Sequence, residues 1–258
     1  MEEKEALLAL QQLKEILDEH SIEFWLESGT LLGAIREGCF IKWDYDMDFG
    51  TWDINLSKMK KLNKAFCKLG YETYYSVYHN LMMIRKGEID IQLVFWRLDG
   101  DRVIAPLRYI ENRIGFFLAS VNWMLLFSRS GKLNKETFNS FSKIIKYCGT
   151  KVTDLLPQSF KLKIASFLNK LAVKTGNRRG LVVIPSKYFL NLEKKQFYKM
   201  DFLFPEEAEE YLVYYYGDDW RTPKKDWNYI REDKKLISKT EQVGENWVYR
   251  KFKNKFDK

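Results

Sequence analysis

Trp43-Asp44-Tyr45-Asp46-Met47-Asp48-Phe49-Gly50 decides how this chain is read. Residues 45–50 alternate apolar and polar and so predict a strand. Side chains on a strand alternate between its two faces, so Asp44, Asp46 and Asp48 are expected on one face. Three like charges on one face repel one another. A fold accepts them where a cation neutralises them or where the face is open to water. Carboxylate oxygens without His or Cys partners select a hard cation, Mg²⁺ or Mn²⁺, or Ca²⁺. A solvent-facing acidic edge would show the same spacing.

The flanking sequence favours the first explanation. Upstream, Ile22-Glu23-Phe24-Trp25-Leu26 predicts a short strand, and Ser28-Gly29-Thr30-Leu31-Leu32-Gly33-Ala34-Ile35-Arg36 a helix that stops at Gly38. A glycine at a strand-to-helix junction lets a ligand approach the backbone, and a helix N-terminus offers unpaired N–H groups to phosphate. Ser28 as an ordinary helix cap explains the junction equally well. Downstream, 88–97 predicts a strand with Asp90 in its apolar first half, where an unpaired carboxylate is expensive. A glycine-bearing helix start, D-x-D carboxylates on one strand and another acid on a later strand together suit metal-assisted phosphoryl transfer.

Further outward, residues 3–19 read as an amphipathic helix and 55–69 as another, ending at Gly70. Residues 72–78 and 81–86 join 88–97 as strands. Extended segments follow at 181–184 and 196–204. Pro205 to Tyr216 reads as a helix begun by proline, with Glu206 and Glu207 in its first turn and Gly217 after its end. The fold class is α/β (α+β), a mixed sheet with helical additions. The boundaries are a core at 1–110, a basic helical insert at 111–180, a region at 181–230 that completes the core, and a charged tail at 231–258.

Composition limits the alternatives. The 258 residues are 46% hydrophobic and 30% charged, as expected of a globular chain. Its two histidines, His20 and His79, leave little for a structural zinc site, and no G-x-S-x-G elbow accompanies them. Cys39, Cys67 and Cys148 lie too far apart in sequence to suggest a disulfide framework, which suits a reducing compartment. The acidic N-terminus lacks a secretory pattern, and the most apolar run, Ile114 to Phe127, is short of the ~20 residues of a spanning helix. Net charge is +8, and residues 129–199 hold 16 basic against 3 acidic residues. Such a segment attracts polyanions, whether nucleic acid, anionic lipid or phosphate-rich glycan. Beside it, Phe116-Phe117-Leu118 and Trp123 to Phe127 fit either a buried helix or an interfacial membrane contact. Trp220, Trp227 and Tyr229 offer stacking surfaces for a sugar or base, or core packing.

Gly29-Thr30-Leu31-Leu32-Gly33-Ala34-Ile35-Arg36, followed by Phe40-Ile41-Lys42-Trp43-Asp44-Tyr45-Asp46-Met47-Asp48-Phe49-Gly50, closely resembles the signature of the LicD family of bacterial phosphocholine transferases, which is similar to fukutin and fukutin-related protein. Tyr211-Leu212 through Tyr215-Tyr216-Gly217-Asp218-Asp219-Trp220 and Thr222-Pro223 resembles that family's closing motif. The resemblance frames residues 22 to about 223 and is most specific at its two ends. Lys42 departs from it, standing where the family usually has proline.

The resemblance implies a nucleotidyltransferase-like core that moves phosphocholine, ribitol phosphate or a similar alcohol phosphate from a CDP-activated donor. The acceptor it implies is a hydroxyl of a cell-surface or lipid-linked glycan such as capsule, lipopolysaccharide or teichoic acid, and the leaving group is CMP. By motif match, Asp46 and Asp48 hold Mg²⁺ or Mn²⁺, Asp90 is the third carboxylate, and Asp44 fills another acidic position. Gly29 and Thr30 match the phosphate-facing element. Ser28 at the helix start belongs with them, and Arg36 and Lys42 are further donor-phosphate candidates. Asp90 and Asp44 are the two candidates for general base. The expected location is the bacterial cytoplasm, with a peripheral contact at the inner face of the membrane as the second reading. A nucleotidyltransferase that releases pyrophosphate would use the same carboxylates. A basic nucleic-acid-binding protein is a further alternative, disfavoured by the acid cluster.

Overall fold

The structure is a computed structural model that describes residues 3–76, 80–108, 179–225 and 237–238, with isolated helical positions at 118, 121, 160, 164, 167, 168 and 171. The chain forms two compact units, Met1–Leu107 with Gly180–Lys258, and Arg108–Arg179. Everything below concerns the first. His79, Cys148, Trp227 and Tyr229 lie outside the described residues, as do nearly all of the expected basic insert and its apolar stretch, and the charged tail apart from residues 237–238.

Helix α1 (Glu3–Glu19) buries Ala6, Ala9, Leu10, Leu13, Ile16 and Leu17, the stripe its 3.6-residue period predicts. It leads into β1 (Phe24–Leu26), α2 (Ser28–Arg36) and β2 (Asp46–Trp52). A 3₁₀ helix (Asp53–Lys58) then feeds α3 (Met59–Lys68). The expected single helix over 55–69 is therefore two segments of different winding. Strands β3 (Glu72–Ser76), β4 (Leu81–Lys86), β5 (Ile89–Asp99) and β6 (Arg102–Arg108) follow. The chain returns through β7 (Arg179–Pro185), a short α4 (Lys187–Leu190), β8 (Leu192–Phe197), β9 (Met200–Pro205) and α5 (Ala208–Tyr216), with β10 (Ile237–Ser238) last.

The ten described strands form one mixed sheet in the order β10-β7-β6-β5-β2-β1-β9-β8, and β4 pairs with β5 and β3 with β4 beyond that path. The long β5 is its branch point. Its first half lies between β2, parallel, and β4, antiparallel, and its last residues pair with β6. Strand β1 is antiparallel to β2 and parallel to β9. On one face Phe24, Met47, Phe49, Leu93 and Phe95 are buried. Helix α1 covers this face, with Lys14 over the ring of Phe202, which packs edge-on against Phe24. The Tyr71 hydroxyl after α3 donates to Gln12 at 2.6 Å and ties α3 to α1. On the other face Trp25, fully buried, packs against Phe189 of α4 at 5.0 Å, and Phe189 packs against Tyr211 of α5 at 5.3 Å. Each such ring contributes roughly 1.5–3 kcal/mol by leaving water.

Two further boundaries differ from expectation. The extended run 196–204 is broken into the β8–β9 hairpin, turned at Tyr198 and Lys199 with φ of 49° and 63°. Pro205 does not begin a helix: it pairs with Leu192 as the last residue of β9, and α5 starts at Ala208. Among the described residues no helix is long and apolar enough to cross a membrane.

Candidate active site

The second sheet face carries the acids. Strand β2 runs parallel to β5 with Asp46 beside Asp90 and Asp48 beside Gln92, so these four side chains share a face. Gln92 Nε2 donates to Asp46 Oδ2 at 2.5 Å. Asp44 precedes the strand instead of lying on it; its N–H donates to Ile41 O at 3.0 Å in a turn. That turn still delivers its carboxylate to the same place, because Asp44 Oδ2 and Asp48 Oδ2 both border the space that a Cβ on Gly29 would fill. A Cβ at residue 29 would collide with Asp44 Oδ2, so the glycine is required by close approach.

Helix α2 meets the acids with its N-terminus. Its capping residue is Glu27, which makes no side-chain capping bond. Asp48 performs that task from the neighbouring strand: the Gly29 N–H donates to Asp48 Oδ2 at 3.1 Å. In return the Asp48 N–H donates to Thr30 Oγ1 at 2.8 Å, and the Glu27 N–H to Asp48 O at 3.2 Å. Ser28 is held at φ 43°, an uncommon value for a residue with a side chain, and its hydroxyl donates to the Tyr215 hydroxyl at 3.5 Å. Ser28, Gly29 and Thr30 therefore stand together at the carboxylates, although Ser28 does not cap the helix.

Burial and mutual repulsion set the electrostatics. Burial, then the neighbouring charges of Asp48 and Asp44, push the Asp46 carboxyl far up. Burial and Asp44 raise Asp48 too, partly offset by the Gly29 N–H. Asp90 is only 7% exposed; its Oδ2 is paired with Arg85, and its Oδ1 has no hydrogen-bond partner among the described residues. Burial raises its pKa, and Arg85 opposes that rise.

Asp46 and Asp48 open into a cleft of about 500 Å³, within the range of small-molecule sites. Asp44, Asp46 and Asp48 line it, as do Ser28, Gly29 and Arg36. Lys42, which is exposed, and Asp90, which is buried, are not among its lining residues. Arg36 spends its donors on protein: Nε and Nη2 reach Glu37 Oε1 at 3.0 and 2.6 Å, and Nη1 reaches Trp220 O at 3.2 Å. This last bond fastens the segment after α5 to α2, and with Tyr215 and Tyr216 it walls the cleft. Trp220 is buried in that wall; His20 lies away from it, with Nδ1 against Ile16 O at 2.9 Å.

The sequence did not single out Glu27. It is 2% exposed, lines the cleft, and its Oε2 accepts the Trp96 indole N–H at 2.8 Å. Burial pushes its pKa up to about 8. A Cβ at Gly50 would strike both Trp25 and Glu27 Oε2, so glycine there opens the notch that the carboxyl occupies. Lys224 and Lys225 were also unforeseen as cleft residues.

As the side chains stand, no group of three or more His, Cys, Asp or Glu among the described residues is arranged to hold a metal ion by itself. The donor set nonetheless fits a hard cation that takes part of its shell from a ligand: Mg²⁺ is commonly held by one or two carboxylates plus substrate phosphates. Asp46 and Asp48 supply the pair. Burial first and mutual repulsion second raise their pKa values, and a bound cation would offset both.

A mixed α/β domain with paired acids facing a helix N-terminus is the class that this geometry defines. Residues 21–98, less than a third of the chain, match the family model described as "LicD/FKTN/FKRP, nucleotidyltransferase domain". An uncharacterized protein of Rickettsia typhi is 31% identical over 145 residues, 55% of this chain and 45% of that protein. Another from Rickettsia prowazekii is 35% identical over 94 residues, 35% of each. The chain thus spans less than half the length of these two relatives. Ribitol 5-phosphate transferase FKRP of mouse and human is 40% identical over 50 residues, 19% of this chain and 10% of FKRP. Among solved structures, the antibiotic-resistance factor ANT(2'')-Ia aligns with 67% of this chain and 97% of its own, at 12% identity and a TM-score of 0.32.

Proposed function

We propose that this protein transfers an alcohol phosphate, such as ribitol phosphate or phosphocholine, from a CDP-activated donor to a hydroxyl of a surface glycan, releasing CMP. One observation carries the reading: Asp44, Asp46 and Asp48 converge on the N-terminus of α2 inside a cleft large enough for a nucleotide. The match to the LicD family model and the similarity to a ribitol 5-phosphate transferase support it. Asp46 and Asp48 would hold a divalent cation, Mg²⁺ or Mn²⁺, which when bound offsets charge on the donor phosphates.

The remaining work falls to the chain's own groups. The free N–H groups in the first turn of α2, beside Gly29, orient a phosphate oxygen. Asp44, which lines the cleft against Gly29, receives the acceptor hydroxyl's proton, while Asp90, paired with Arg85 and buried, stands beside Asp46 without lining the cleft. Asp90 instead adds to the anionic field that attracts the cation. Tyr215, Tyr216 and Trp220 limit water at the phosphorus.

The test supplies the full chain with CDP-ribitol, CDP-choline, CDP-glycerol and CTP, with Mg²⁺ and a surface-polysaccharide acceptor, and identifies the nucleotide product. CMP from one CDP-alcohol supports the transferase. Pyrophosphate from CTP would replace it with a nucleotidyltransferase. Loss of turnover in Asp44→Asn with retention in Asp90→Asn supports the base; the reverse moves the role to Asp90.

A further inference from the structure

The acids of the cleft face a short strap, residues 217–225, that follows α5. The strap is internally tied. The Trp220 N–H donates to Gly217 O at 3.1 Å, the Thr222 N–H to Asp219 O at 2.8 Å, and Lys224 pairs with Asp219 Oδ2 at 2.7 Å. Arg36 latches it to α2 through Trp220 O. A fixed strap therefore brings two lysines into the cleft that holds Asp44, Asp46 and Asp48.

The cations that line this cleft are Arg36, Lys224 and Lys225, and their commitments differ. Arg36 is spent on Glu37 and Trp220, and Lys224 is neutralised by Asp219. Lys225 Nζ rests 5.7 Å from the ring centroid of Trp43, the residue immediately before Asp44. No carboxylate pairs with it among the described residues. A cation–π contact positions an ammonium without cancelling its charge. Lys225 is thus the cleft lysine that keeps its charge for a ligand.

We propose that Lys225, seated on Trp43, binds the phosphate groups of the nucleoside diphosphate donor. The proposal rests on the donor reading above. It gives that donor a protein cation in the cleft, which the exposed Lys42 does not line. The ammonium shares the cleft with three carboxylates that would otherwise repel a diphosphate.

The test is calorimetric titration of the full chain with CDP in Mg²⁺, at low and at moderate ionic strength. Lys225→Gln is expected to weaken CDP binding about tenfold, the scale of one charge-assisted hydrogen bond, and to flatten its salt dependence. Lys225→Arg is expected to restore both. Wild-type affinity in Lys225→Gln, or weaker binding with an unchanged salt slope, would overturn the proposal, since a packing role through Trp43 moves affinity alone. A wild-type protein that binds no CDP would instead overturn the donor reading, and this inference with it, before any variant is compared.

Discussion

The Asp48 carboxylate accepts the Gly29 backbone N–H across 3.1 Å, so an acid on strand β2 caps the helix that faces it. A negative charge at a helix N-terminus is worth about 0.3–1 kcal/mol, and here the same charge is needed at the site. The Asp48 N–H on Thr30 Oγ1 closes the arrangement from the other side. Helix and strand therefore position each other through a residue that its acidic neighbours also repel.

Gly29→Ala tests the close approach. Its Cβ meets the Asp44 carboxylate, which must swing away. Overpacking of this kind costs about 1–3 kcal/mol. The variant is expected to fold with a lower melting temperature and to lose stabilisation by Mg²⁺ with CDP. A variant that keeps both would show that the approach is slack.

Thr30→Val removes the acceptor for the Asp48 N–H and keeps the shape. An orphaned buried donor costs about 1–3 kcal/mol. Urea denaturation should show that loss for valine and recovery in Thr30→Ser. Equal stability of the valine and serine variants would mean that the bond contributes nothing.

Glu27 has a folded-state pKa of about 8 against an ordinary value of 4.5. Between those values the folded chain holds a proton that the unfolded chain has released, so its contribution is full below pH 4.5 and is lost as pH rises toward 8. Glu27→Gln lacks this dependence. The difference in melting temperature between variant and wild type should shift in the variant's favour from pH 5 to pH 9. A difference that does not change with pH would contradict the buried, protonated carboxyl.

Much of this was legible in the sequence, for physical reasons that also mark its limits. The α1 stripe, the Asp46–Asp48 alternation and the apolar β5 follow periodicities that burial enforces. The Tyr198-Lys199 turn was invisible because neither residue is a usual left-handed one; tertiary contacts hold it, with the Phe40 N–H donating to the Tyr198 hydroxyl at 3.1 Å. Strand β6 and helix α4 were missed, the first carrying Pro106 within it and the second only four residues long. At the site, the aspartates and glycine stood in one readable run. Glu27 did not, since only the fold sets it beside Trp96 and the Gly50 notch, and the lysines come from a strap nearly two hundred residues away.

Mg²⁺ binding should be linked to protons. Asp46 and Asp48 are both pushed up by burial and by like charge, so metal-free protein holds protons that a cation must displace. Stabilisation by Mg²⁺ is expected to grow from pH 6 to pH 8, with proton release seen as a buffer-dependent binding enthalpy. Binding that is independent of pH and buffer would argue that the ion is held elsewhere.

The central claim is that these acids hold a cation for a CDP-activated donor, and calorimetric titration of wild type and Asp46→Asn/Asp48→Asn with CDP-alcohols tests it most directly. The expected result is that one CDP-alcohol binds the wild type only with Mg²⁺ or Mn²⁺ and does not bind the double variant, which remains folded by circular dichroism. Equal binding to both proteins, or binding of the wild type to CTP alone, would contradict it.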